Sequence, residues 1–174
     1  GFSSFLWMLV GTVLARVART PDGLLLAAKL ACALLYLVNA GLVQWLALGC
    51  LSRGAALATT WLYAVSAIAI CSVTDGMENH LFLTLHLLLA LAYLRLRDGK
   101  ASGGIWMAGL ALVLFLLPVC RPERVLTGGA RVLALGFEWR RLPPPARRTA
   151  VGAIGAAGVL GTAYQAWRAA YFGA

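Results

Sequence analysis

Two short polar segments carry the residues of this chain that are best suited to chemistry. They are Thr74-Asp75-Gly76-Met77-Glu78-Asn79 and Arg121-Pro122-Glu123. Carboxylates such as Asp75 and Glu78 can hold a sugar hydroxyl, a metal ion or a phosphate-bound cation. The guanidinium of Arg121 is a planar fork of donors that matches phosphate oxygens. The two segments together therefore point to a polar site that handles hydroxyl and phosphate groups.

Both segments also fit the start of a helix. Asp75 suits an N-cap, and Glu78 stands three residues later, which is a capping-box pattern. Pro122 suits the first turn of a helix, and Glu123 is favourable near a helix N-terminus. The helix-start reading and the site reading are compatible, and the residues alone leave both open.

The remaining polar residues within apolar runs give weaker indications. Arg131 must face a polar cavity or extend to the membrane surface, whereas Lys29 is close enough to a run end to do the latter. His80 follows the acidic segment and could contribute to it, and His86 is expected to be a buried, satisfied histidine. The two histidines are six residues apart and share a helix face poorly. No metal site is predicted, and the four cysteines include no CxxC pair.

The elements that must position these residues are membrane helices. The chain has 174 residues, of which 61% are hydrophobic and 12% charged, and its mean hydropathy is +0.84. Soluble domains are about 45–50% apolar and about 25% charged. The apolar runs are continuous rather than alternating, which favours helices over a barrel. We therefore predict an all-α fold, a polytopic membrane helix bundle with about six transmembrane helices plus one N-terminal juxtamembrane helix.

The whole of residues 1–174 is predicted to be a transmembrane region. The juxtamembrane helix is expected over about 2–18, and the spanning helices over 23–50, 55–73, 80–96, 104–119, 125–139 and 149–167. The chain begins at Gly1 and ends shortly after an apolar run. We interpret it as an internal fragment of a larger membrane domain.

The basic residues predict an orientation. The net charge is +9, and the cations lie in short connectors, so we exclude nucleic acid as a partner. One side of the membrane would receive eight of them, namely Arg53, Arg95, Arg97, Lys100, Arg140, Arg141, Arg147 and Arg148. The other side would receive five, namely Arg16, Arg19, Arg121, Arg124 and Arg168. The positive-inside rule makes the first side cytoplasmic and places both polar segments on the outer side.

Four motifs in order resemble the multi-spanning glycosyltransferases of the GT-C superfamily. The closest likeness is to the bacterial branch that includes the mycobacterial terminal arabinofuranosyltransferases. The matching segments are Gly1-Phe2-Ser3-Ser4-Phe5-Leu6-Trp7, Asp75-Gly76-Met77-Glu78-Asn79, Arg121-Pro122-Glu123 and Arg168-Ala169-Ala170-Tyr171-Phe172-Gly173. Asp75 stands where the family has Ser, and Arg124 stands where it has Gly.

The resemblance implies a site and a reaction. A sugar would pass from a polyprenyl-phosphate-linked donor to a glycan or lipid acceptor on the outer face of a bacterial plasma (inner) membrane. The acidic catalytic base is expected upstream of Gly1, so no catalytic residue is assigned and the fragment alone is expected to be inactive. The implied substrate-binding residues are Asp75, Glu78, Asn79, Arg121, Glu123, Arg168 and Tyr171. A divalent cation is an open cofactor, as in the distantly similar oligosaccharyltransferases.

Two other functions stay open. A transporter or permease fragment would also combine apolar spans with polar breaks, although transporters place such breaks near the bilayer midplane. A membrane assembly protein without a site of its own is the other alternative. The position of both polar segments at the ends of runs, on one predicted side, favours surface chemistry.

Overall fold

Two helices of this chain begin directly after residues that cap them. In the computed structural model, which describes residues 5–18, 20–74, 79–101, 103–120, 136–137 and 139–172, Thr20 is the N-cap of the longest early helix. Its hydroxyl accepts a hydrogen bond from the Gly23 N–H at 3.1 Å. Pro21 follows at the first helical position, where its missing N–H costs nothing. Ser52 caps the next helix in the same way, through Ala55 N–H.

The described part of the chain is helical and contains no strand, which confirms the all-α part of the predicted fold class. Its elements are α1 (Phe5–Val17), α2 (Pro21–Leu48), α3 (Arg53–Ala64), α4 (Ala67–Thr74), α5 (Asn79–Arg97), α6 (Gly104–Cys120), a short 3-10 helix (Trp139–Arg141) and α7 (Pro144–Phe172).

The chain divides into two compact units, Gly1–Ala90 and Leu91–Ala174. In the first unit, α2 is the central element and packs against α1, α3 and α4. In the second unit, α6 packs along α7. A Cβ on Gly152 of α7 would overlap the Sδ atom of Met107 on α6, so this contact depends on the absence of a side chain.

The predicted number of six membrane spans is not confirmed. Two described helices, α2 and α5, are long and apolar enough to cross a membrane. A third span exists if α3 and α4 count as one, but they are bent by 51° at their junction, where the sequence predicts a single helix over 55–73. The predicted span over 125–139 lies almost wholly outside the described residues.

The other predicted spans differ for two physical reasons. Helix α6 has 17 residues and α1 has 13, and at 1.5 Å per residue both are short for a hydrocarbon core of about 30 Å. Helix α7 has 29 residues, but its many glycines and alanines make it less apolar than α2. We expected a span over 149–167 because the run lacks charges. The absence of charges is a weaker requirement for a span than high mean hydropathy.

The surface of α2 is apolar where it is exposed. Leu30, Leu34 and Leu37 are each exposed by 61% or more, and their spacing of three and four residues places them on one helix face. Exposed leucines in such a stripe are costly in water and favourable in lipid. This apolar surface of α2, together with two or three helices that are long and apolar enough to span a membrane, is compatible with a membrane protein.

Candidate functional site

A buried group of polar side chains lies in the first unit, and we call it the polar cluster. It consists of Tyr36 and Asn39 from α2, Tyr63 from α3, and His80 and Thr84 from α5. Asn39 is fully buried, and His80 is only 2% exposed. Because buried polar groups destabilise a fold unless they are paired, their hydrogen bonds determine whether the cluster is stable.

The Asn39 side chain joins α2 to α5. Its Nδ2 donates to the backbone carbonyl of His80 at 3.0 Å, and its Oδ1 lies 2.8 Å from the Thr84 hydroxyl. The same hydroxyl is 2.8 Å from the His80 carbonyl. A hydroxyl has one proton, so Thr84 donates to either oxygen in turn. The amide of Asn39 is satisfied at both ends when Thr84 points to it.

His80 extends the cluster to α4. Its Nε2 lies 3.1 Å from the Ala69 carbonyl, and because a carbonyl can only accept, Nε2 carries the proton. In a neutral imidazole this leaves Nδ1 as an acceptor. The ring meets the Tyr36 ring edge-on, with the centroids 5.8 Å apart. His80 therefore holds a defined tautomer at the start of α5.

The two tyrosines lie beside the junction of α3 and α4. Tyr36 donates its hydroxyl to the Ala64 carbonyl at 2.7 Å, which satisfies a carbonyl at the last residue of α3. The Tyr36 and Tyr63 rings stack with centroids 5.6 Å apart. The Tyr63 hydroxyl oxygen is buried and has no hydrogen-bond partner among the described residues. It interacts with the Asn39 side chain outside standard hydrogen-bond geometry.

The residues that the sequence singles out fall into three groups. Asp75, Glu78, Arg121 and Glu123 lie outside the described residues, as does Arg131. Asn79 is half-buried and is the first residue of α5, so the acidic segment leads directly, along the chain, into the helix that carries His80 and Thr84. His86 lies two turns further on, where its Nδ1 donates to the Phe82 carbonyl at 2.9 Å, and it takes no part in the cluster.

Arg168 and Tyr171 belong to the second unit, three residues apart near the end of α7. Tyr171 is 71% exposed and stacks on Trp167, with the centroids 5.6 Å apart. Trp167 in turn lies 6.0 Å from Tyr164. This aromatic stripe suits a membrane–water interface, where Trp and Tyr are enriched.

The sequence prediction missed Asn39, Tyr36, Tyr63 and Thr84. A signal for Asn39 did exist, because an amide in the middle of a 28-residue apolar helix is costly unless it bonds to another helix. The two tyrosines and Thr84 carry no such signal. Tyrosine is common in apolar helices, and threonine can satisfy its own hydroxyl on the preceding turn.

The described residues include no group of three or more His, Cys, Asp or Glu side chains that could hold a metal ion. Comparisons with protein-family models, curated proteins and solved structures find no match to this chain.

Proposed function

We propose that this chain is part of an integral membrane glycosyltransferase that transfers a sugar from a polyprenyl-phosphate donor to an extracytoplasmic glycan or lipid acceptor. The proposal rests on the four ordered motifs and is supported by one structural observation. The helix that follows Asp75–Asn79 is fixed by a buried polar cluster at its first two turns, through His80 and Thr84.

An anchored helix start matters because transfer needs positioned groups. A general base takes a proton from the acceptor hydroxyl, and cationic groups stabilise the charge that develops on the leaving phosphate. In our proposal Asp75 and Glu78 bind the reacting sugars, and Arg121 binds the phosphate. The resemblance assigns the base to none of the residues named here. The hydrogen bonds of Asn39 hold the first two turns of α5, the helix that begins directly after Glu78 in the sequence.

The decisive experiment uses the full-length protein with defined polyprenyl-phosphate sugars. Glu78→Gln keeps the side-chain shape and removes the charge, so we expect transfer to fall about tenfold or more, the loss of one charge-assisted hydrogen bond. Asp22→Asn is the matched control, because Asp22 is an exposed carboxylate in the first turn of α2. It should leave transfer unchanged.

Membrane insertion is measured in parallel for both variants. Normal transfer by well-inserted Glu78→Gln protein would remove Glu78 from the site. A second experiment replaces residue 78 or residue 121 of the protein by cysteine and places the protein in sealed vesicles. Both cysteines should react with an impermeant reagent that is added from the outer side. Labelling of only one of them would exclude a shared site.

A transporter is the second candidate, and the bend between α3 and α4 favours it. Discontinuous helices are typical of transporter binding sites, and the 51° bend between α3 and α4 is such a break. Reconstituted liposomes separate the two functions. A transporter moves an intact labelled sugar donor across the bilayer without an acceptor, whereas a transferase consumes the donor only when an acceptor is present.

A further inference from the structure

An open cleft of about 340 Å³ lies in the second unit, between the first turns of α6 and α7. It is lined by Gly103, Gly104, Met107, Pro145, Arg148 and Thr149. We propose that this cleft binds the phosphate group of an anionic membrane lipid. This cleft is distinct from the proposed sugar-transfer site. Its residues lie at the end of the second unit that the basic connectors predict to face the cytoplasm, whereas the sugar-transfer motifs are predicted on the outer side.

Arg148 is the group that would bind the phosphate. Its side chain is exposed in the cleft and forms no hydrogen bond or ion pair with the described residues. The one described carboxylate of this unit, Asp98, lies 3.7 Å from Arg97 and 3.8 Å from Lys100. It is thus already shared between two cations. An unpaired guanidinium in a strongly basic region attracts a phosphate, with which it can form two parallel hydrogen bonds.

The connector beside the cleft is held in place by its own hydrogen bonds. Arg147 donates through Nε to the Leu142 carbonyl at 2.8 Å and through Nη2 to the Arg140 carbonyl at 3.0 Å. Leu142 itself is 1% exposed. Arg147 is therefore a structural residue, whereas its neighbour Arg148 is left to face the cleft. A site with a fixed wall loses less entropy on binding than a flexible loop would.

The apolar edge of the cleft indicates a lipid rather than a free phosphate. Ile105 and Trp106 begin α6 and are 90% and 37% exposed, and Met107 is 37% exposed and also lines the cleft. A free anion gains nothing from these side chains. A lipid would place its phosphate at Arg148 and its acyl chains along the exposed apolar start of α6.

Native mass spectrometry of the full chain in a neutral detergent tests the proposal. The probes are dioleoyl phosphatidylglycerol and, for comparison, zwitterionic dioleoyl phosphatidylcholine. We expect the anionic lipid to bind more tightly to the wild-type chain, and Arg148→Gln to weaken its binding about tenfold. Arg141→Gln is the matched control, because it removes one charge from the same connector outside the cleft and should change affinity less than twofold.

Three results would overturn the proposal. Equal weakening by the two substitutions would mean that bulk charge alone attracts the lipid. Displacement of the lipid by inorganic phosphate at comparable concentration would identify a free anion as the ligand. If circular dichroism shows that Arg148→Gln does not fold, the comparison of the two lipids on the wild-type chain tests the proposal by itself. Equal affinity of the wild-type chain for the two lipids would exclude an anion-selective cleft. Arg148→Lys keeps the charge and removes the planar guanidinium, so it measures how much the two parallel hydrogen bonds contribute. We expect it to weaken lipid binding about threefold.

Discussion

The hydrogen bond between Asn39 and Thr84 should be measurable as a coupling energy between α2 and α5. We consider Asn39→Ala, Thr84→Val and the double variant. Thr84→Val leaves Asn39 Oδ1 buried without a donor, which costs about 1–3 kcal/mol of stability. Asn39→Ala leaves no buried hydroxyl without an acceptor, because the Thr84 hydroxyl can then donate to the His80 carbonyl, 2.8 Å away.

The double variant has no stranded acceptor, so it should cost less than the two single variants added together. Hydrogen bonds between membrane helices contribute about 0.6 kcal/mol on average and about 1.7 kcal/mol at most. The distance of 2.8 Å and the full burial of Asn39 favour the upper part of that range. We therefore expect a coupling of about 1–1.7 kcal/mol.

Reversible unfolding of the chain in mixed micelles, followed by circular dichroism during titration with sodium dodecyl sulfate, gives the free energies of unfolding. Thr162→Val is the control partner. Its hydroxyl donates to the Gly158 carbonyl at 2.9 Å on the exposed side of α7 and shares no partner with Asn39. Asn39→Ala and Thr162→Val should be additive within about 0.5 kcal/mol. The same additivity between Asn39→Ala and Thr84→Val would refute our account of the cluster.

Two matched pairs of substitutions test other contacts by the same unfolding measurement. Tyr63→Phe removes a buried hydroxyl that forms no hydrogen bond of standard geometry among the described residues but interacts with the Asn39 side chain, so it should cost less than Tyr36→Phe. Tyr36→Phe should cost about 1 kcal/mol with its bond to the Ala64 carbonyl. A stabilising Tyr36→Phe would contradict this. Gly152→Ala should destabilise the packing of α6 on α7 by about 1–3 kcal/mol, because its methyl overlaps Met107; Gly155→Ala meets nothing within 4 Å and should stabilise by about 0.5–1 kcal/mol. Equal effects of the two alanines would show that the contact is loose.

Composition and the length of apolar runs were sufficient to predict an all-helical chain with membrane character. They were not sufficient to count spans, as the α3–α4 pair illustrates. Its junction at Val65 and Ser66 contains neither glycine nor proline, so nothing in the local sequence marks a break. Part of its support comes from Tyr36, 28 residues away from Ala64 in sequence, and such a tertiary contact is invisible to a reading of one run at a time.

The candidate site shows the same limit. The acidic segment was identifiable because two carboxylates between apolar runs are rare, whereas the predicted capping by Asp75 and Glu78 lies outside the described residues. The partners of α5 were not identifiable. Asn39 and Thr84 are 45 residues apart, and their pairing depends on how α2 and α5 pack. A coupled pair of polar residues in two apolar helices needs the fold before it can be recognised.

The bend between α3 and α4 also constrains how the protein can be made. With 12 and 8 residues, the two pieces reach about 18 Å and about 12 Å, and neither crosses the oily interior of the bilayer by itself. Irregular backbone at that depth is tolerated only where other protein covers it. If α3 and α4 together form one span, we therefore expect the bent pair to be stable beside α2 only after α5 is in place and His80 can donate to the Ala69 carbonyl. We expect biogenesis of this region to proceed as one late step rather than helix by helix.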